Sequence, residues 1–346
     1  MRVGCSNFTL SNTPIMDFTF KNISEFNDFF KDEKTCYEFL ETQRWNGVPV
    51  CPHCATAKKP YTVKARGKFI DIPSYRCSER ACSLPFTVRT GSIFEGSKVE
   101  LRKWFQASYE ISISKKGISS VELATRIGVS QKTAWFINHR LRAMLTETAP
   151  ELLTGTIEVD ETFVGGLEKN KHISEKVKRS KISRKLDEKI VTPKTMVLGI
   201  LQRDGKVRTF VVPNRQADVL NPIMRANVET DSRIISDALA SYVELRKDYN
   251  HISIKHTVGD YRTKGDEHTN NIEGYWSILK RGIIGTFHFV SPQHLQRYCD
   301  EFAHHYNTRT TTTQEKFLAA IKNAHGNRLK YRDLTPNQPK KKATLK

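Results

Sequence analysis

Thr156-Ile-Glu-Val-Asp160-Glu-Thr-Phe-Val164 is followed at once by Gly165-Gly166. Apolar and polar residues alternate along it, which predicts a strand with Ile157, Val159 and Phe163 toward a core and a stop at the glycines. The strand carries a carboxylate, Asp160, and alternation sends only one of Asp160 and Glu161 to a given face; Asp160 is the preferred ligand. A second apolar run, Ser232-Arg-Ile-Ile-Ser-Asp237, ends on another carboxylate. Between the two lie Thr195 to Arg203 and Lys206 to Val212, predicted strands joined through Asp204-Gly205, a strong hairpin signal, and then a helix from about 217 to 228. Glu273 sits in His268-Thr-Asn-Asn-Ile-Glu-Gly-Tyr-Trp276, with 35 residues between it and Asp237. Asn270, Glu273, Ser277 and Lys280 follow helical spacing and share one face, while Ile272, Trp276 and Leu279 form another, buried face.

The order of strand, hairpin, helix, strand and later helix is the layout of an RNase H-like α/β fold, a mixed sheet flanked by helices, over residues 154–312. Each carboxylate taken alone is more often solvated or structural. Two on strands and one on a helix suit hard, oxygen-preferring cations, and a pair of magnesium or manganese ions is the expected cofactor. Such a pair can activate one oxygen at a phosphorus and stabilise another on its far side. Lys280 on the same face as Glu273 can grip a phosphate beside the metals, as can Arg281; the bland alternative is an amphipathic surface helix with a Glu–Lys pairing. His268 and His288 are further candidates for positioning phosphates, and each is as easily structural.

Lys and Arg outnumber Asp and Glu by 56 to 37, a formal charge of +19 in 346 residues, which points to a polyanionic partner, double-stranded DNA, rather than only to solvated lysines. The densest basic run, residues 167–194 with Lys169 and Lys171, reads as a loop that neutralises phosphates. No apolar stretch approaches the roughly 20 residues that cross a bilayer, so no membrane partner is expected. The N-terminus lacks the apolar core of a signal peptide.

Seven cysteines, four of them in two close pairs, suggest metal binding in a reducing compartment. Cys51-Pro-His-Cys54 and Cys77-Ser-Glu-Arg-Ala-Cys82 are separated by strand-like Tyr61-Thr-Val, Lys68-Phe-Ile and Ser74-Tyr-Arg. Two such turns on neighbouring hairpins can give structural zinc four thiolates, over residues 49–92. Four unpaired cysteines or a rubredoxin-like centre are the competing readings, though the latter normally has short spacers in both turns. Cys5, Cys36 and Cys299 read as free thiols. Ahead of the ribbon, within residues 1–48, Glu25 to Trp45 reads as helical, with Phe26, Phe29, Phe30, Cys36, Phe39 and Leu40 on an apolar face.

Residues 98–150 read as a helix-turn-helix region. Ser119 or Ser120 caps a short helix, Gly128 makes the turn and Ser130 caps the next helix. That second helix should bury Ala134, Ile137 and Leu141 and present Gln131, Lys132, Thr133 and Asn138 to DNA, with Arg140 and Arg142 extending the basic face. Many helix pairs bind nothing; the charge favours DNA. Residues 313–346 read as a C-terminal helix and a disordered basic tail.

From about Phe26 to Arg309 the chain resembles the DDE transposases of bacterial insertion sequences that carry a zinc ribbon, the ISXO-like group related to the eukaryotic Merlin elements. The resemblance is carried by Cys51-Pro-His-Cys54, Tyr75-Arg-Cys77, Phe86 to Phe94, Leu101-Arg-Lys-Trp-Phe105, Val159 to Gly166, the block from His268 to His288, and Asn307-Thr-Arg309. It implies two-metal cleavage and strand transfer at terminal inverted repeats, with Asp160 and Asp237 as the first two acidic ligands. The third falls on Asn270 or Glu273, and Glu273 is favoured because a carboxylate binds a hard cation better than an amide. The second strand departs slightly from the family, with Ser236-Asp-Ala where Thr-Asp-Glu is frequent. The resemblance also implies at least a dimer on element ends and target, in the bacterial cytoplasm with the nucleoid, or in the nucleus for a eukaryotic element. The alternatives are a catalytically silent, domesticated DNA-binding regulator and a metal-dependent nuclease.

Overall fold

A computed structural model of the chain describes residues 19–64, 72–147, 150–165, 194–237, 240–254, 267–326 and 328–335. Cys5, the expected Lys68-Phe-Ile strand, Lys169, Lys171 and the basic tail lie outside these residues. The chain divides into two compact units, Met1–Tyr109 with Thr312–Arg328, and Glu110–Thr311 with Leu329–Lys346.

In the first unit the helical segment before the ribbon is two helices, α1 (Ile23–Phe29) and α2 (Glu33–Trp45). The break comes from Asp32, whose carboxylate accepts the Thr35 amide at 2.7 Å and caps α2, so the backbone there is extended rather than helical. Phe26, Phe30 and Phe39 are buried, Phe29 partly so, and the rings meet Phe105 of α3 (Leu101–Ile113) and Phe317 of α9 (Thr313–Lys322). Phe30 lies 5.0 Å from Phe105 and Phe26 lies 5.3 Å from Phe317, centroid to centroid. A helix near the C-terminus thus completes an N-terminal aromatic core. The ribbon is a small antiparallel sheet of β1 (Tyr61–Val63), β2 (Ser74–Arg76) and β3 (Pro85–Phe86), with Tyr75 stacked on Phe86.

The second unit begins with α4 (Ser120–Ile127) and α5 (Gln131–Leu145). Ser119 and Ser130 cap them, and Gly128 turns between them at φ 63°, a left-handed conformation that glycine adopts without a Cβ penalty. Next comes a five-stranded sheet in the order β6-β5-β4-β7-β8, from β4 (Thr156–Val164), β5 (Thr195–Gln202), β6 (Val207–Val212), β7 (Arg233–Asp237) and β8 (Asn250–Ile254). β4, β5 and β6 pair antiparallel; β7 lies parallel to β4 and β8 parallel to β7. The mixed sheet with helices on both faces is the expected RNase H-like arrangement. Ile157, Val159, Leu198, Ile200 and Ile234 pack on one face with Leu220 and Met224 of α6 (Ala217–Asn227) and Tyr242 of the 3-10 segment Ala240–Lys247. Val164, Val197 and Leu201 pack on the other with Ile272, Trp276 and Leu279 of α7 (Asn270–Gly282) and Cys299 and Phe302 of α8 (Leu295–Asn307). Phe163, expected in the core, is instead exposed, because at that point the strand has run past the helix and 3-10 cover of its face. Among the described residues no helix is long and apolar enough to cross a membrane.

Candidate active site and metal centre

Strand register puts the first two carboxylates side by side. Val159 pairs with Ser236 in the parallel ladder, so Asp160 and Asp237 stand one residue further along neighbouring central strands, about 4.8 Å apart at the backbone. Asp160 pairs with Gly199 on its other side. A Cβ at Gly199 would stand 2.5 Å from the Trp276 ring and 2.8 Å from Ile272, so the glycine lets α7 lie close to the sheet. That approach brings the Trp276 indole N–H to Asp160, donating to Oδ2 at 2.9 Å. Glu161 points to the opposite face, where it accepts the hydroxyl of buried Tyr242.

The α7 helix is seated by a residue that sequence reasoning passed over. Glu158, 0% exposed, accepts the Asn271 and Ile272 amides at 3.0 Å each and the Asn271 side-chain amide at 2.9 Å. The helix has no side-chain N-cap from Thr269, so a carboxylate from β4 fills that role and meets the positive end of the helix. Arg203 neutralises Glu158 at 2.8 Å and donates to the His268 carbonyl at 2.8 Å. His268 is thereby part of this clamp, with Nδ1 3.5 Å from Glu158. Glu158 stands two residues before Asp160 and holds the amide one residue before Glu273, so one side chain ties both acidic elements together. A charged residue between Ile157 and Val159 was the available signal, since a buried charge requires partners.

Burial raises the Asp160 carboxyl above its ordinary value, opposed by the Trp276 N–H and the Glu161 amide and reinforced by the negative charges of Asp237 and Glu273. Glu161 is pushed up to about 7, first by burial, with the Tyr242 hydroxyl opposing and Asp160 and Asp237 adding. Negative charge thus accumulates around Asp160, where a bound cation would offset it. Glu273 is exposed and its carboxylate accepts the Thr269 hydroxyl at 3.2 Å. Asn270, Ser277, Lys280 and Arg281 are also exposed, while Ile272, Trp276 and Leu279 are buried, as the helical spacing predicts. The three carboxylates do not close to within 4.8 Å of one another, as a single tight cage would. A two-ion site needs no such closure, because its outer ligands serve different ions.

The cysteines behave differently. Among the described residues, Cys51, Cys54, Cys77 and Cys82 are the group whose ligand atoms all lie within 4.8 Å of one another. Cys51 and Cys82 sulfurs are 3.8 Å apart, and those of Cys54 and Cys77 are 3.5 Å apart. Thiolates about 2.3 Å from a tetrahedral zinc stand roughly 3.8 Å apart, so the donor set fits structural zinc despite the longer second spacer. Cys36 and Cys299 are buried free thiols.

The helix pair requires corrections. Ala134, Ile137 and Leu141 are buried as expected, and Gln131 and Lys132 are exposed, with Thr133 half-buried. Asn138 and Arg140, expected to face outward, are buried at 1% and 4% exposure. Asn138 donates to the Ile118 carbonyl at 3.1 Å, and Arg140 donates to the Leu329 carbonyl at 2.9 Å. Arg142, also expected outward, is buried in an ion pair with Glu301 at 2.6 Å, its guanidinium over the Tyr298 ring. The reason is that α5 packs on α8 as well as on α4, which leaves only its first turn open.

Residues 152–307 match the ISXO2-like transposase domain, and residues 31–84 match the transposase zinc-ribbon domain. Over 258 residues, 73% of this chain, it is 26% identical to an uncharacterized protein in transposable element ISH50 of Halobacterium salinarum, 84% of which is covered. Over 117 residues, 34% of this chain, it is 30% identical to an uncharacterized transposase-like protein of Haemophilus influenzae, 93% of which is covered. The chain belongs to the ISXO2-like transposases, with a transposase zinc ribbon ahead of the transposase domain.

Proposed function

We propose that this protein binds the terminal inverted repeats of an insertion sequence and catalyses DNA strand cleavage followed by strand transfer. The observation that carries the reading is the level placement of Asp160 and Asp237 on β4 and β7, with the charge of Glu273 felt at Asp160. Asp160, Asp237 and Glu273 hold the metals, and Asn270 at the start of α7 is the alternative third ligand. Two divalent ions of the magnesium or manganese class, when bound, activate the attacking oxygen and neutralise the leaving one. Trp276 orients Asp160 through its N–H, and the Glu158 clamp fixes the helix that carries Glu273. Lys280 and Arg281, exposed on that helix, take phosphate oxygens. In the first displacement water attacks the phosphorus at the element end as its P–O3′ bond breaks, freeing a 3′ hydroxyl and leaving a 5′ phosphate; in the second that hydroxyl attacks a phosphorus of target DNA, whose own P–O3′ bond breaks and releases the target 3′ oxygen. Gln131, Lys132 and Thr133, in the first turn of α5, sit where a recognition helix meets base edges. Paired element ends call for at least a dimer.

The test is a gel assay on duplexes carrying the gene's own flanks. Asp160→Asn and Asp237→Asn should each cut nicking by about a thousandfold or more, a loss of several kcal/mol of transition-state stabilisation, while end binding stays within a fewfold of wild type. A wild-type protein that binds these ends and never nicks them with magnesium is a regulator instead. One that nicks and never joins is a nuclease.

A further inference from the structure

Beyond the carboxylates, the same two elements frame a cavity of about 420 Å³, lined by Phe163 and Gly165 at the end of β4, by Lys194, and by Lys280, Ile284 and Phe289 around the end of α7. Its apolar wall stands in water: Phe289 is 67% exposed and Ile284 69%. A strained turn holds Phe289 there. His288 has φ 59° and ψ −44°, outside the regions a non-glycine residue favours, and its Nδ1 lies 3.0 Å from the Ile284 carbonyl oxygen. Lys194 and Lys280 supply cations in the lining, while the Phe163 ring turns to the Glu161 face of the strand, with the Arg215 guanidinium 5.4 Å from its centre.

The position is set by chain geometry. Phe163 lies three residues beyond Asp160 along a strand, about 10 Å. Lys280 lies seven residues beyond Glu273 along a helix, again about 10 Å. Both elements therefore carry the cavity the same distance from the carboxylates, about three base steps of duplex. An exposed aromatic ring suits a flat heteroaromatic one, and lysines suit the phosphates on either side of it.

We infer that this cavity receives an unstacked base of the DNA strand being cut, within about three nucleotides of the scissile phosphate, stacked on Phe289 with its phosphates on Lys280 and Lys194. This rests on the proposed cleavage at Asp160 and Asp237 and adds a substrate subsite to it. The experiment is a double-substitution cycle on full-length protein with magnesium. Single abasic residues are placed at each position within about three nucleotides of the cut, and nicking rates are measured for wild type and Phe289→Ala. The Phe289 ring is exposed, so a melting temperature close to wild type confirms folding before rates are compared. At one position the abasic residue should slow wild-type nicking about tenfold, the loss of one base–aromatic stack. Phe289→Ala should slow nicking of intact DNA by a similar factor, and combining the two should add little, because the same contact is removed twice. Losses that multiply to about a hundredfold, or an abasic scan with no effect at any position, overturn the subsite while leaving the cleavage reading intact. Wild-type protein that nicks no end duplex sinks the cleavage reading and this inference with it.

Discussion

The cysteine cluster and the carboxylate cluster handle charge in opposite ways. Four soft ligands from two tight turns close to within 4.8 Å and leave no position open, so a metal there serves folding. The three carboxylates come from two strands and a distant helix and stay wider apart, and burial, with the charges of Asp237 and Glu273, raises Asp160. The first arrangement is made by local chain turns. The second exists only because β4, β7 and α7 are brought together, and it needs its own structural support, which Glu158 and Trp276 supply. A site proposed to admit DNA stays open and is held from behind.

The largest expected effect breaks the closed half of this comparison. Purified protein should carry a single zinc, and Cys51→Ser should lose it along with the fold of the ribbon, since structural zinc sites contribute about 10 kcal/mol or more. Metal content by atomic absorption and thermal melting with and without a zinc chelator check this. Zinc that can be stripped with no change in melting would end the structural reading.

The open half is probed through its support. Glu158→Gln removes the charge that pairs with Arg203 and weakens the cap on α7, and should cost about 3 kcal/mol of stability by chemical denaturation. End binding through α5 should persist, while nicking falls. A variant within about 1 kcal/mol of wild type, against that larger expectation, would mean that Glu158 does not set the helix.

A smaller effect tests buried charge away from both clusters. His139 is held down at about 2, first by burial and then by the positive charges of Arg142, His294 and Arg297, and neither ring nitrogen has a hydrogen-bond partner. Its folded value lies below the unfolded one, so its stability contribution is complete above about pH 6.5 and is lost as pH falls below it. The slope should approach about 1.4 kcal/mol per pH unit. His139→Leu should flatten the melting profile between about pH 6.5 and 5 relative to wild type; equal slopes would reject the assignment.

Some of this was legible locally. The cysteine spacing, the serine caps and Gly128 of the helix pair, the Asp204-Gly205 hairpin and the split of α7 into an exposed acidic face and a buried apolar one all follow from neighbours within a few residues. The failures share a cause. Asn138, Arg140 and Arg142 read as a basic outer face because nothing in α5 reveals that α8 and Leu329 cover it. Phe163 read as core because alternation cannot say where cover ends. Glu158 drew no role from the sequence, because its partners lie far along the chain at Arg203 and Asn271.

By itself, then, the sequence determined the family, the zinc ligand set and the order in which the acidic residues occur, because these are matters of residue type and short spacing. Tertiary structure decided which charges are buried, which helix seats Glu273, and how the exposed Phe289 comes to lie beyond the carboxylates. Those depend on contacts between segments far apart along the chain, where burial and partner supply, rather than local pattern, set the energy of each side chain.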